Sequence, residues 1–465
     1  MDIKIALPKG RLLNKTASLL QLAGWGMDGY HEKARLYNLK SSAYPDISAK
    51  MFHERDIPIQ VAIGNYDLGI CGSDWIEELL VKYPSSAVVK VRDLGYGMGG
   101  LYMTAGQAGV SMSSLRRKAG QGAVRIVSEY ANLAESFALR ERLGRFSVFP
   151  VWGGAEAYPP EDADLALISG RASMVPIARV LDFSACLIAN RNSWGTKELD
   201  EVIASICENC DQLPAEEAMP DEGGGREVVP RTVETGKDGL VRLALPDGHQ
   251  QLPLLRLLEK AGIKMENYPS PAGNRRPVIN IEGVAVKVIR PQDMPLQVAN
   301  GNFDLAVTGK DWVADHLCQF PSSPVKEVLA LKSGRVRIVA VVSQEMPVEN
   351  AADLRKLIDG MAVPFRVASE YVNIADRYAR DNHFGRYRVI PTWGATEAFL
   401  PDDADLLIEN TETGGTIARH NLKIIDTLFE STACLISNVR IRAGSPKDEK
   451  VKNIVETIRK ALEDR

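Results

Sequence analysis

Short apolar runs alternate along the chain with longer stretches whose apolar residues recur three and four positions apart. "IKIAL" (3–7) predicts a strand, and "LLNKTASLLQLAG" (12–24) predicts a helix ending at Gly24. "IQVAI" (59–63) is a further apolar run, and "DLGICG" (67–72) reads as a strand closed by glycine. "AVRIVS" (123–128) predicts a strand and "LAESFALRERLG" (133–144) a helix. This is the βαβ rhythm of mostly parallel sheets, where ligands bind at the turns after strands. The stretches near 91–104 and 327–343 read as crossings between two lobes, so that each half of the chain becomes two α/β lobes with a cleft.

The pattern occurs twice. "IALPKGRLLNKTASLLQLAGW" (5–25) matches "LALPDGHQQLPLLRLLEKAGI" (243–263), and "RDIPIQVAIGNYDLGICGSDWI" (55–76) matches "QDMPLQVANGNFDLAVTGKDWV" (292–313). "RIVSEYANLAESFA" (125–138) returns as "RVASEYVNIADRYA" (366–379), and "VFPVWGGAEAYPPEDADL" (148–165) as "VIPTWGATEAFLPDDADL" (389–406). The order is kept, and so nearly is the spacing: Asp56 to Asp293 is 237 positions and Trp152 to Trp393 is 241. The chain is therefore two homologous copies, 1–213 and 240–465, each large enough to bury its own core. Residues 214–239, rich in Pro, Gly and acid, read as a linker. "DEKVKNIVETIRKALEDR" (448–465) has helical spacing, and "TKELDEVIASICENC" (196–210) holds the same place in the first copy.

Composition narrows the function classes. Hydrophobic residues are 45% and charged residues 25% of the 465, with a net charge of −4, so no basic face advertises nucleic acid. No apolar run is long enough for a membrane span, and "MDIKIALPKGR" lacks the features of a signal peptide, so a cytoplasmic protein is expected. Six cysteines in so long a chain do not make a disulfide framework, and "CENC" (207–210) reads as two reduced cysteines near a helix end.

The blocks resemble the catalytic unit of the ATP phosphoribosyltransferase family, the first enzymes of histidine biosynthesis. The resemblance rests on "LPKGRL", "DIPIQVAIGNYDLGICGSDW", the "EYANLAESF" and "EYVNIADRY" pair, the "WGGAE" and "WGATE" turns, and "ETGGTIARHNLKIID" (412–426), and it covers nearly all of both copies. It implies a bilobed fold like the type II periplasmic binding proteins, and transfer of phosphoribosyl from phosphoribosyl pyrophosphate (PRPP) to N1 of the ATP adenine with Mg²⁺. It implies the short form of the family, which works with a separate regulatory subunit. The family unit dimerises, so the tandem chain is expected to be an internal pseudo-dimer that itself forms a homo-oligomer.

Within that resemblance, individual residues acquire roles. Glycine lets backbone N–H groups approach a phosphate closely, and a following helix adds its dipole. "ETGGT" offers Gly414 and Gly415 for that approach, with hydroxyls from Thr413 and Thr416. Glu409 and Glu412 are candidates to bond ribose hydroxyls or to hold Mg²⁺ through water. The first copy has seven fewer residues here: Asp164 to Cys186 is 22 positions where Asp405 to Cys434 is 29. The glycine pair is absent and Pro176 falls in the expected helix, so this phosphate loop is expected to be degenerate.

Lys9 and Arg11 of "LPKGR" are the candidate cations for the leaving pyrophosphate, whose charge grows in the transition state. The second copy reads "LPDGH", where Asp247 is expected to repel phosphate and His249 is a part-time cation. Arg35 matches a substrate-facing arginine of the family, with Arg275 or Arg276 as the second copy's candidate. Arg290 matches a family arginine that reaches the neighbouring subunit's site, whereas the first copy has His53 there. Glu129, Glu370, Glu156 and Glu397 are candidates to contact ribose or adenine. Asp67, Asp74, Asp304 and Asp311 are expected to cap helices rather than catalyse. Two other functions fit these residues: a regulatory or anion-binding pseudoenzyme, and a phosphoribosyltransferase acting on another base.

Overall fold

The structure is a computed structural model that describes residues 3–27, 29–32, 37–170, 174–213, 239–269, 275–394 and 396–463. Apart from Gly239, the linker 214–239 lies outside them, as does Arg35. The predicted helix at 12–24 runs Leu13–Leu22, and Gly24 beyond it takes φ +71°, a left-handed turn that glycine adopts without strain. The helix at 133–144 runs Ala131–Arg140, and the C-terminal pattern forms Pro446–Glu463, burying Val451, Ile454, Val455 and Ile458. The apolar run around 59–63 is a helix, Ile57–Ala62, started by Pro58 at its first turn, where a missing N–H costs nothing.

By packing, the chain divides into two compact units that do not coincide with the two copies. The first runs to Pro150, resumes at Tyr158 for the rest of the first copy, and also takes in Thr392–Asp403 from the second. The second takes in Val151–Ala157 from the first copy together with most of the second. Each copy thus lends the other a segment from within its fourth repeat block.

In the first unit, one sheet is ordered Asn38–Lys40, Ile47–His53, Ile3–Lys9, Leu68–Gly72, Ala185–Asn190, Val88–Asp93. Its middle three strands, Ile47–His53, Ile3–Lys9 and Leu68–Gly72, are parallel, and Ala185–Asn190 is antiparallel to its neighbours. The second sheet is ordered Val175–Phe183, Gly99–Ala105, Leu165–Ser169, Val124–Ser128, Phe146–Pro150. The sheets are mixed rather than mostly parallel, for a topological reason. The chain crosses between the sheets twice, at 94–98 and at Ser184, and the strands flanking the crossings enter in the opposite sense. Each sheet has its own core, one around Leu7, Trp25 and Leu187 and the other around Met103, Ile126 and Phe137.

The second unit repeats the plan with two five-stranded sheets. They are ordered Val284–Ile289, Val241–Pro246, Leu305–Gly309, Ala433–Asn438, Val325–Ala330, and Tyr387–Pro391, Phe365–Ser369, Leu406–Thr411, Val336–Ser343, Leu422–Ser431. The crossings fall at 331–335, within the stretch 327–343 read as a crossing, and at Thr432, which the sequence reading did not mark.

Candidate functional site

In the first copy, strand Ile3–Lys9 ends in the Lys9-Gly10-Arg11 turn, where Gly10 has φ +97°. The Tyr30 hydroxyl fixes the turn by donating to Pro8 O (2.7 Å). The Lys9 ammonium sits 5.0 Å from the centre of the Tyr37 ring. Arg11 is held on three sides. Its Nε donates to Glu54 Oε2 (3.0 Å), its Nη2 to both oxygens of Asp74 (3.2 and 3.3 Å), and its plane lies over Phe183 at 4.7 Å. The Tyr130 hydroxyl donates to Asp74 Oδ2 (2.7 Å). Burial opposes the Arg11 charge, but Asp74 and Glu54 outweigh it and raise the guanidinium's pKa above its ordinary value. Burial likewise pushes Glu54 above the usual carboxylate range, with Arg11 pulling the other way. Such a bidentate, charge-assisted arrangement fixes orientation as well as energy.

The four aspartates are not helix caps. Asp74 lies in the first turn of helix Ser73–Lys82 without a capping bond, because its carboxylate is committed to Arg11 and Tyr130. Asp311 accepts from Tyr371 (2.6 Å) and Ser431 (2.7 Å). Asp67 accepts from Lys4 N and Lys197, and Asp304 from Arg242 N and Lys447, so each ties a strand start to a C-terminal helical segment.

The second copy rebuilds the same turn with other chemistry. Asp247 does not stand as a bare negative charge: Arg275 Nη1 (3.1 Å) and Arg290 Nη1 (3.3 Å) both pair with its Oδ2. Arg275 Nε reaches Glu156 Oε1 (3.4 Å) as well. The expected repulsion of phosphate by Asp247 is therefore offset locally. Val288 N donates to Arg275 O as Met51 N donates to Tyr37 O, so Arg275 occupies the place of Tyr37 and not that of Arg35. A cation over a ring in one copy has become an ion pair in the other. Arg276 donates to Ala157 O (3.0 Å). Where the first copy has Arg11 and Phe183, the second has His249 and Ser431, and the Ser431 hydroxyl supplies the bond that keeps Asp311 satisfied.

Strand Leu406–Thr411 runs into the glycine loop, followed by a short helix, Gly415–Arg419. Gly414 has φ +78°, and a Cβ built there meets nothing within 4 Å, so backbone conformation rather than crowding favours glycine. Gly414 N donates to Thr411 Oγ1 (3.0 Å) and Gly415 N to Thr413 Oγ1 (3.4 Å), while Arg419 Nη2 donates to Thr416 Oγ1 (3.0 Å). Glu412, Thr413 and Thr416 are exposed and Glu409 is half-buried. In the first copy, strand Leu165–Ser169 leads to strand Val175–Phe183, and no helix intervenes among the described residues. Pro176 belongs to that strand, opposite Thr104, and not to a helix as its position had suggested. Counted back from the matched Ser184 and Thr432, Val175 falls at Lys423, inside the second copy's strand, so the missing residues come out of the loop and helix before it.

The structure groups 409–416 as a strand end, a glycine turn and a helix start, puts Lys9 with Arg11 on one turn, and gathers Arg290 and, through Arg275, Glu156 at Asp247. Glu156 and Glu397 belong to different units, within Ala155–Ala157 and Thr396–Phe399. Glu129 and Glu370 are half-buried, and each stands just before the tyrosine (Tyr130, Tyr371) from which helix Ala131–Arg140 or Val372–Asp381 starts. Sequence reasoning missed Tyr130, Tyr371, Glu54 and Asn410, whose Nδ2 donates to the Tyr371 hydroxyl (3.0 Å). The tyrosines were visible as the third letter of the repeated "SEY" block, where attention went to the glutamate. Cys207 and Cys210 are free thiols, and among the described residues no group of three His, Cys, Asp or Glu side chains could hold a metal ion.

Two α/β lobes joined by two crossings, present twice in tandem, make this chain a double copy of one bilobed α/β fold. The ATP phosphoribosyltransferase family model matches residues 53–211 and again 290–460. The chain belongs to the ATP phosphoribosyltransferase family. The ATP phosphoribosyltransferase of Thermodesulfovibrio yellowstonii is 30% identical over 231 residues, 49% of this chain and 73% of that protein. That of Saccharolobus solfataricus is 34% identical over 209 residues, 43% of this chain and 64% of that protein. Among solved structures, an ATP phosphoribosyl transferase complex from Thermotoga maritima aligns with a TM-score of 0.40 at 22% identity, covering 48% of this chain and all of that one.

Proposed function

We propose that the chain transfers the phosphoribosyl group of PRPP to N1 of the ATP adenine. N1 attacks C1 of the ribose, and the C1–O bond breaks with its electron pair leaving on pyrophosphate. The observation that carries this reading is the 411–416 loop, a strand end, a left-handed glycine and a short helix, in a chain of this family. Thr413, Gly414, Gly415 and Thr416 bind the 5′-phosphate, and Glu409 and Glu412 face the ribose. Lys9, Arg11 and Arg290 supply positive charge towards pyrophosphate, and Glu129, Glu370, Glu156, Glu397, Arg35 and Arg276 serve the nucleotide. Two carboxylates suit a Mg²⁺ that arrives on the pyrophosphate and keeps most of its waters, where it would neutralise the leaving charge. Among the described residues, no helix is long and apolar enough to cross a membrane. We place the activity in the cytoplasm, as an internal pseudo-dimer that forms a homo-oligomer with a separate regulatory subunit.

The test is incubation of the protein with ATP, PRPP and Mg²⁺, reading the absorbance of the phosphoribosyl-ATP product, with other bases as competing acceptors. Product with ATP alone among the bases supports the proposal; product only with another base reassigns the acceptor. A second reading, a non-catalytic anion-binding regulator, is favoured by one observation. Neither copy holds both the Lys9–Arg11 pair and the glycine loop. Absence of product with and without the regulatory subunit would select it. In the active protein, Arg11→Ala is expected to lower kcat about 100-fold, as for loss of one preorganised transition-state donor. KM for PRPP should change little. The opposite pattern, KM raised at constant kcat, would make Arg11 a ground-state binder.

A further inference from the structure

Arg11 belongs to a closed ring of side chains, and one member of the clamp around that ring comes from the other copy. Glu54, which holds the Arg11 Nε, is followed by Arg55. The Arg55 guanidinium lies between two indoles, 5.0 Å from the centre of the Trp75 ring and 3.9 Å from that of Trp393. Trp75 in turn stacks on Tyr130, with ring centres 4.3 Å apart and planes inclined by 26°. The Tyr130 hydroxyl and Arg11 meet on Asp74, the residue before Trp75. The circuit runs Arg11, Glu54, Arg55, Trp75, Asp74 and back to Arg11, with Tyr130 bracing its far side. Trp393 closes the outer face of Arg55, and it is carried by Thr392–Asp403, the second-copy segment packed into the first unit.

The second copy lacks this device although its frame is intact. Trp312, Tyr371, Asp311 and Trp152 repeat Trp75, Tyr130, Asp74 and Trp393. Trp312 lies on Tyr371 at 4.4 Å and the Tyr371 hydroxyl reaches Asp311, as in the first copy. Yet Arg11, Glu54 and Arg55 are replaced by His249, Pro291 and Gln292. Without the intervening guanidinium, Trp152 and Trp312 come into direct contact, with ring centres 5.6 Å apart. Arg11, Glu54 and Arg55 are thus present together in one copy and absent together from the other, while the fourth charged member, Asp74, is kept as Asp311. That is the pattern of parts that work as a set. A guanidinium between two indole faces gains cation–π attraction on both sides and loses the freedom to swing.

We infer that Arg55 and Trp393 are positioning residues that hold Glu54, and through it Arg11, in the orientation the reaction uses. The second copy thereby helps to build the first copy's cationic turn. The inference rests on the proposed role of Arg11, and its test keeps the two apart. Trp393→Ala is expected to lower kcat roughly tenfold with KM for ATP and PRPP within about twofold, the signature of a misplaced group and not of a lost contact. Trp393→Phe keeps an aromatic face and should restore most of the rate. Arg55→Gln introduces the residue that this fold already carries at 292, and should reproduce the loss. In an Arg11→Ala background, Trp393→Ala should cost nothing further, because both act through the same group. An unchanged kcat in Trp393→Ala, or losses that multiply in the double variant, would overturn the clamp. If the parent protein makes no product, the reaction assignment fails, while the clamp remains open to test by NMR. The ¹⁵N signal of the Arg11 Nε–H, assigned with Arg11→Lys, should exchange with water roughly tenfold faster in Trp393→Ala. Equal exchange in parent and variant would refute the clamp whatever the activity.

Discussion

Gly414→Asp is expected to abolish PRPP binding while leaving the fold intact. A Cβ added there meets no atom within 4 Å, so the side chain starts in open space. Aspartate also tolerates the left-handed backbone that φ +78° requires better than most residues do. What it adds is a carboxylate beside the proposed seat of a phosphate. Two like charges about 4 Å apart near a protein surface repel by about 4 kcal/mol, roughly a thousandfold in affinity. Gly414→Asn has nearly the same shape and backbone strain without the charge, and should weaken PRPP less than about tenfold. Calorimetric titration of PRPP into the three proteins measures both. If the Asp variant binds PRPP as the parent does, the phosphate does not sit at this loop.

The second large effect concerns stability. Lys50 is a charged residue on an interior strand, 3% exposed, and its ammonium donates to Asp403 Oδ2 (2.7 Å), Ala398 O (3.0 Å) and Asp402 Oδ2 (3.4 Å). Asp403 is fully buried and also accepts from the Tyr66 hydroxyl (3.1 Å). Phe52 packs edge-on against Phe399 beside them. These contacts seat Thr392–Asp403, the segment that carries Trp393, in the first unit. Lys50→Met keeps the volume but strands the buried carboxylate. Breaking a buried pair in this way costs about 3–5 kcal/mol. For a unit of this size, that is roughly 10 °C in the melting temperature. The loss should also depend on pH. Burial raises the Asp403 pKa above its usual range and Lys50 opposes the shift, so the variant carboxyl is raised further. A folded state that holds a proton more tightly than the unfolded chain gains stability as pH falls and loses it as pH rises. The deficit of Lys50→Met relative to the parent should therefore be smaller at about pH 5 than at about pH 8. Thermal melts at the two values check this, and a variant as stable as the parent at both would show that the ion pair is not what secures the segment.

Much of the architecture was legible because it depends on local periodicity and on repetition. Strands and helices in each copy followed the alternation of apolar positions, and the first crossing of each copy fell where the pattern put it, while the return at Ser184 and Thr432 carried no mark. The helix Ile57–Ala62 was hidden because it is short and apolar, and periodicity alone does not separate such a run from a strand. The site was legible in outline only. The glycine loop and the "PKGR" turn announce themselves through residues with special backbone or charge. Glu54, Asp74 and Tyr130 are separated by tens of positions from the Arg11 they surround, and Trp393 by hundreds from the Arg55 it covers, so no local signal ties them together.

Taken alone, the sequence determined that the chain is a duplicated two-lobed α/β protein, that one copy keeps the glycine loop, and that the other keeps the cationic turn. These are properties of order and spacing, which the chain carries along its length. Only the tertiary structure decided the partners. It showed that Asp247 is neutralised by Arg275 and Arg290, that Asp74 grips Arg11 instead of capping a helix, and that 392–403 is packed with the opposite copy. A buried charge takes whichever opposite charge the fold brings within about 3 Å, and that choice is made in space, where sequence separation has no bearing.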